Sequence, residues 1–212
     1  MDTRQRIITA ALDAYSQHGF RGATTRRIAA FAGVNEVTVF RIFGSKQALL
    51  TEALRSHAGQ APITPLPADT GNPAEKLTAW TTASLHSLRS RGRILRTSIG
   101  DSEERPELSE PAISIQKRIF AEAAGYFERM RAAGLVRSSV DLRAAAAMLT
   151  AAILADATGR AAVPEQLPRE DQAAALYVAV ILTALGASTR RAIEPSSVRA
   201  PAPPSMPDAT GA

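Results

Sequence analysis

Residues 3–18 carry Ile8, Ala11, Leu12 and Tyr15 at i, i+3, i+4 and i+7, one face of a helix that Gly19 closes. A second helix starts at Thr24 or Thr25, where a hydroxyl can accept an orphan backbone N–H, and buries Ile28, Ala29 and Ala32. Gly33 suits the left-handed conformation that ends it, and Val34 plugs the corner beneath the turn. Asn35 caps a third helix, Glu36 to Phe43, with Val39, Phe40 and Phe43 inward and Glu36, Val37, Thr38, Arg41 and Ile42 outward. Gly44 stops that helix, and Ser45 caps a fourth from Lys46 to about His57, whose Leu49, Leu50 and Leu54 link the first three helices to the rest of the chain.

Residues 59–73 contain four prolines and two glycines, which no helical period survives, so they read as a loop. Five further helices are expected at about 74–91, 93–100, 106–133, 142–160 and 169–190, and strand-like alternation is missing throughout. Beyond Glu194 a proline-, alanine- and serine-rich string has no large apolar set to bury and reads as disordered. The chain is therefore expected to be all-α. A three-helix head and its linking helix occupy 1–55, a helical body 56–194 and a tail 195–212.

Two helices joined by a short glycine-containing turn form a helix-turn-helix, whose second helix enters the major groove with its N-terminal residues at base edges. Spacing alone is a weak signal. The residues are more specific: Gly19-Phe20, Thr24-Thr25, Ile28-Ala29, Ala32-Gly33-Val34, Thr38, Phe40, Phe43, Ser45-Lys46 and Leu49-Leu50 resemble the N-terminal signature of the tetracycline-repressor (TetR) family. The resemblance covers roughly residues 1–55. It implies a homodimer that binds a palindromic operator on double-stranded DNA, represses transcription, and lets go when a small-molecule effector enters the C-terminal domain. It also implies that Thr25, Thr38, Phe40 and Lys46 touch the DNA backbone, while Glu36, Val37 and Arg41 fall where sequence is read. Phe40 and Ile42 depart from the family pattern, which more often has tyrosine and histidine there, and so lack two polar groups that reach phosphates.

Charge points the same way. Residues 1–55 hold eight basic residues, Arg26 and Arg27 among them, against four acidic ones, which is +4 of the chain's formal +5. The remaining 17 basic and 16 acidic residues nearly cancel. Positive charge on the helix-turn-helix segment is what phosphate binding requires. Arg41 is the expected reader, since a guanidinium grips guanine O6 and N7 bidentately. Glu36 either accepts from cytosine N4 or simply favours the helix N-terminus as an anion.

In the last helix, residues 173–185 are apolar nearly all round, and such a helix is covered on two sides. It is either central to a monomer or packed on a second copy. The resemblance favours a dimer interface using Tyr177, Val180, Ile181 and Ala184 with Ala145 and Leu149 of the preceding helix. In the body, Ile113, Phe120 and Phe127 recur every seven residues, and with Trp80, Leu95, Ile99 and Met148 they outline an apolar ligand cavity, into which Gln116 would point. Ordinary core packing is the plainer reading of each residue singly. The acidic cluster Asp101, Glu103, Glu104, Glu107 and Glu110 reads as anions offsetting a helix N-terminus.

An enzyme is disfavoured. The sequence has no cysteine, three histidines, no glycine-rich phosphate loop and no HExxH, so no cofactor or metal is expected. No secretion signal opens the chain, and its longest apolar runs fall short of the roughly 20 residues that span a bilayer, so a cytoplasmic protein without membrane contact is expected. The rival to an operator-binding regulator is a helical ligand-binding or architectural protein whose degenerate helix-turn-helix reads no sequence.

Overall fold

The computed structural model describes residues 1–61 and 63–187, and every regular element among them is helical. The head comprises α1 (Thr3–Gly22), α2 (Thr25–Ala32), α3 (Glu36–Phe43) and α4 (Lys46–Gly59). The body comprises α5 (Pro73–Arg89), α6 (Gly92–Gly100), α7 (Pro106–Ala132), α8 (Leu142–Gly159) and α9 (Ala173–Leu185). The expected disordered tail, 195–212, and the last three residues of the expected 169–190 helix lie outside the described residues.

Helices α2, α3 and α4 each begin on a side-chain cap. Thr24 accepts from Arg27 N–H, Asn35 from Val37 N–H and Ser45 from Ala48 N–H, so the three boundaries are fixed by local chemistry. Gly33 closes α2 at φ 64°, where a Cβ would be strained, and its N–H returns to the last turn. Gly19 breaks α1 at φ 63°, and a further turn carries Phe20 back into the head core. Around Ile7, Ala11, Tyr15, Ile28, Val39 and Leu50 the head builds a core that also takes in Leu108 of α7.

The body core joins α5, α7, α8 and α9 around Leu77, Leu88, Ile119, Tyr126, Leu149 and Val178. The segment between α4 and α5 is irregular, as its prolines suggest, and packs against the body. Ala61, Ile63 and Leu66 are buried, Leu66 N–H donates to Glu122 (3.0 Å), and the Trp80 indole donates to the Thr64 carbonyl (2.8 Å). Three inward side chains and two anchors make it a strap across α5 and α7. The last helix starts at Ala173 rather than Arg169, after a 3-10 turn at Pro164–Gln166 and a further turn in which Gln172 and Ala173 N–H both donate to the Arg169 carbonyl.

Contrary to expectation, α8 is long and apolar enough, by length and composition, to cross a bilayer. Its chemistry argues for a core helix instead. Asp156 within it is fully buried and accepts from Arg89 Nε (2.8 Å), Arg160 Nε (2.9 Å) and the Tyr177 hydroxyl (2.9 Å), tying α5, α8 and α9 together.

Candidate nucleic-acid interface

Helix α3 buries Val39 and Phe43 and turns its other side to solvent. Val37, 70% exposed, and Arg41, also exposed, are four residues apart and therefore share the face opposite that core. Phe40 belongs with them, not with the core side chains. It is 47% exposed, whereas Ile42, expected outside, is half-buried against the head core. The reason is angular: Phe40 sits about 100° round the axis from Val39 and Ile42 leans back toward it.

Thr25 and Glu36 meet directly, the threonine hydroxyl donating to the carboxylate, so the first turns of α2 and α3 are stapled to each other. Glu36 is thus occupied within the head. Thr38 is half-buried beside this junction. Lys46 is turned inward: its ammonium donates to the Phe20 carbonyl (2.9 Å) and lies 3.9 Å from the Phe20 ring centre. Burial first, then nearby Arg105, pushes the Lys46 pKa down.

Most of the head's basic side chains hold protein. Arg4 grips Glu52 in a fork, Arg6 donates to the Ala32 and Gly33 carbonyls, Arg27 donates to the Gly22 carbonyl, Arg21 pairs with Glu104 and Arg55 faces Glu110. Arg26 and Arg41 are both exposed, and neither has a hydrogen-bond or ion-pair partner among the described residues. These two are the head cations without a protein partner among the described residues.

The acidic cluster is the body's half of the head–body joint. Asp101 accepts from Phe20 N–H (3.1 Å), Glu104 pairs with Arg21 (2.7 Å), Glu107 accepts from Gln47 (2.9 Å), and Arg105 lies 3.7 Å from the Phe20 ring centre. Sequence spacing could not find these pairs, since partners lie up to 83 positions apart.

In the body, four expected cavity residues converge. Leu95, Ile99, Ile113 and Gln116 line an open, mainly apolar groove of about 260 Å³ with Ala112 of α7 and Leu154, Ala155 and Thr158 of α8. The other four do not join it. Trp80 anchors the strap, Phe127 is fully buried in the body core, Phe120 is half-buried beneath the Arg143 guanidinium, and Met148 is 57% exposed on the outer side of α8. Two heptads drift only about 40° on a straight helix, so Ile113 and Phe127 are separated by their positions along the 27-residue α7 rather than by its faces, Phe127 in the body core and Ile113 at the open groove.

The expected dimer residues divide similarly. Ala145, Leu149 and Ile181 are buried in their own subunit's core, and Tyr177 is half-buried with its hydroxyl on Asp156. Burial and that hydrogen bond push the tyrosine up to about 12. Val180, 62% exposed, and Ala184 do face outward, in a stripe with Leu176, Ala179 and Thr183. On α8 a matching outward stripe runs through Ala144, Ala147, Met148, Ala151 and Ala155.

These features define an all-helical protein with a helix-turn-helix head on a helical body. Residues 7–53 match the family model of bacterial regulatory proteins, tetR family. Over 56 residues the chain is 41% identical to an uncharacterized HTH-type transcriptional regulator, YvkB, of Bacillus subtilis. That alignment covers 26% of this chain and 30% of its relative. Its fold resembles a transcriptional regulator from Rhodococcus sp. Rha1, with TM-score 0.70 and 21% identity over 88% of this chain and 98% of the other. It also resembles FadR from Bacillus subtilis, solved in complex with stearoyl-CoA, with TM-score 0.59 and 19% identity over 85% of this chain and 96% of the other. The head thus matches the tetR-family model over residues 7–53, and the likeness of the body is one of fold.

Proposed function

We propose that this protein is a dimeric, sequence-specific DNA-binding regulator of transcription, a repressor released from a palindromic operator by a small apolar ligand. The observation that carries the reading is the outward face of α3. Val37 and Arg41 project from a helix held by its Asn35 cap and the Thr25–Glu36 staple, with unpaired Arg26 on the helix before it. Phosphate contacts supply affinity, and Arg41 supplies direct readout.

Dimerisation is supported by the α8 and α9 stripes, where small residues permit close helix approach and no charge interrupts residues 173–185. A two-fold interface brings two heads to one duplex and so implies a palindromic site. Effector binding is supported by the groove between α6, α7 and α8, which lies beside the Asp101 joint to the head. The stearoyl-CoA in FadR is consistent with an apolar occupant in a body of this fold. Such a protein works in the cytoplasm, beside chromosomal DNA, and needs no catalytic group.

The second reading is a helix-turn-helix that grips DNA without reading it. It draws on Phe40, which has no polar group to offer a phosphate, and on the inward turn of Lys46. Selection of genomic fragments on the purified protein at moderate salt decides between the two. Enrichment of one palindrome by about 10³ over bulk DNA is expected of the regulator, and uniform retention would establish the alternative.

A further inference from the structure

Beyond the wall of the apolar groove lies a smaller void of about 10 Å³, room for a single water, between α4, α6 and α7. Leu95 and Ala112 line both spaces, so the void adjoins the groove. Its lining is apolar on most sides, through Leu54, Ile94, Pro111 and Ile115, but His57 and Arg91 also reach it. Nε2 of His57 and Nε of Arg91 are both buried, and neither has a hydrogen-bond partner. Arg91 spends its other nitrogens on neutral oxygens, Nη1 on Ser87 O (2.9 Å) and Nη2 on Gln60 O (3.1 Å). Among the described residues no carboxylate pairs with it. The contrast is Arg89 two residues earlier, which is also well buried but has Asp156 and Glu170 as counterions. Burial lowers the pKa of Arg91, and burial followed by the charge of Arg91 lowers that of His57, as expected of cationic groups packed together without an anion.

Buried polar groups are almost always satisfied, and a half-buried guanidinium with an idle Nε edge suits a carboxylate, the anion whose geometry it matches. We propose that the effector is a small apolar carboxylic acid, its hydrocarbon body in the Leu95–Ile99–Ile113 groove and its carboxylate on Arg91 and His57. The inference rests on the proposed effector-controlled regulator and adds the chemical class of the ligand. Because the void holds only a water, a carboxylate entering it wedges Leu54, His57 and Ala58 of α4 away from α6. The helix that links body to head therefore feels the occupant directly.

The test uses the full chain and three acids, hexanoate, octanoate and phenylacetate, each against its alcohol, by titration calorimetry. Each acid is expected to bind at least tenfold more tightly than its alcohol, with Arg91→Gln abolishing the difference and Arg91→Lys restoring part of it. Since Arg91 also holds Gln60 and Ser87, a second variant, Ile113→Trp, leaves the guanidinium alone and fills the groove. It is expected to weaken acid and alcohol together. Equal binding of acids and alcohols, or no binding of either, overturns the proposal, as does an acid preference that survives Arg91→Gln. Failure of the regulator reading shows separately, in the genomic selection, which contains no added ligand.

Discussion

Arg41 and Asp156 are the two side chains on which most rests, and their environments are opposite. Arg41 stands free in solvent on the outermost face of α3, so its removal costs the fold almost nothing. Arg41→Ala is expected to relax preference at one base pair of each half-site by about 1–3 kcal/mol, read from a panel of single-substituted operators. Equal weakening on every sequence would mark it as a phosphate contact only. Asp156 is fully buried, and although burial favours the protonated acid, hydrogen bonds from Arg160, Arg89 and Tyr177 prevail and hold its carboxyl well below the usual range. A depressed carboxylate contributes stability that is complete above its unfolded pKa of about 4 and is lost as pH falls toward the folded value. Asp156→Asn leaves the Arg160 guanidinium without its anion and Arg89 with only the exposed Glu170, and is expected to cost about 3 kcal/mol at neutral pH, the low end of the range for broken buried pairs because both arginines keep some solvent. Denaturant melts against pH check it: the gap between wild type and variant should be constant above about pH 5 and narrow below about pH 4.

Among the helices, what the sequence made legible was whatever has a local cause. The caps at Thr24, Asn35 and Ser45 and the glycine at φ 64° lie within three residues of the boundaries they set, and those boundaries fell where expected. The outward placement of Val37 and Arg41 follows from the same short-range geometry. Long-range facts were not legible. Nothing near Ile181 signals that it faces its own core while its neighbour Val180 faces out, because a helix apolar all round has no polar side to fix its rotation. Rotation of α9 carries a consequence that can be measured. Val180→Glu places a charge on the exposed stripe and is expected to give folded monomers by sedimentation, with helical circular dichroism unchanged. Ile181→Glu buries that charge in the subunit core and is expected to lower the melting temperature sharply. Intact dimers from Val180→Glu would move the interface off α9.

Between head and body the joint combines apolar packing, with Leu108 of α7 buried in the head core and Ile94 of α6 against it, and a set of polar contacts. Phe20 is its centre: its N–H donates to Asp101, its carbonyl accepts from Lys46, and Arg105 covers its ring. Asp101 follows directly on α6, whose Leu95 and Ile99 line the groove, so an occupant that displaces α6 shifts the acceptor of the Phe20 N–H. A ligand changes head spacing only in proportion to its preference for one arrangement over the other. If the Asp101–Phe20 bond carries that preference, Asp101→Ala should leave ligand affinity and body stability close to wild type and still weaken the ligand's effect on operator binding. Reciprocity makes the result checkable from both ends, since a coupling lost in operator affinity is lost equally in ligand affinity measured with and without operator. The experiment is a four-corner titration of wild type and variant with operator and octanoate. A coupling factor near one in the variant and about tenfold in wild type is expected. Equal factors in both would route the coupling through α4 instead, where the Arg55–Glu110 and Gln47–Glu107 contacts form the parallel connection to α7.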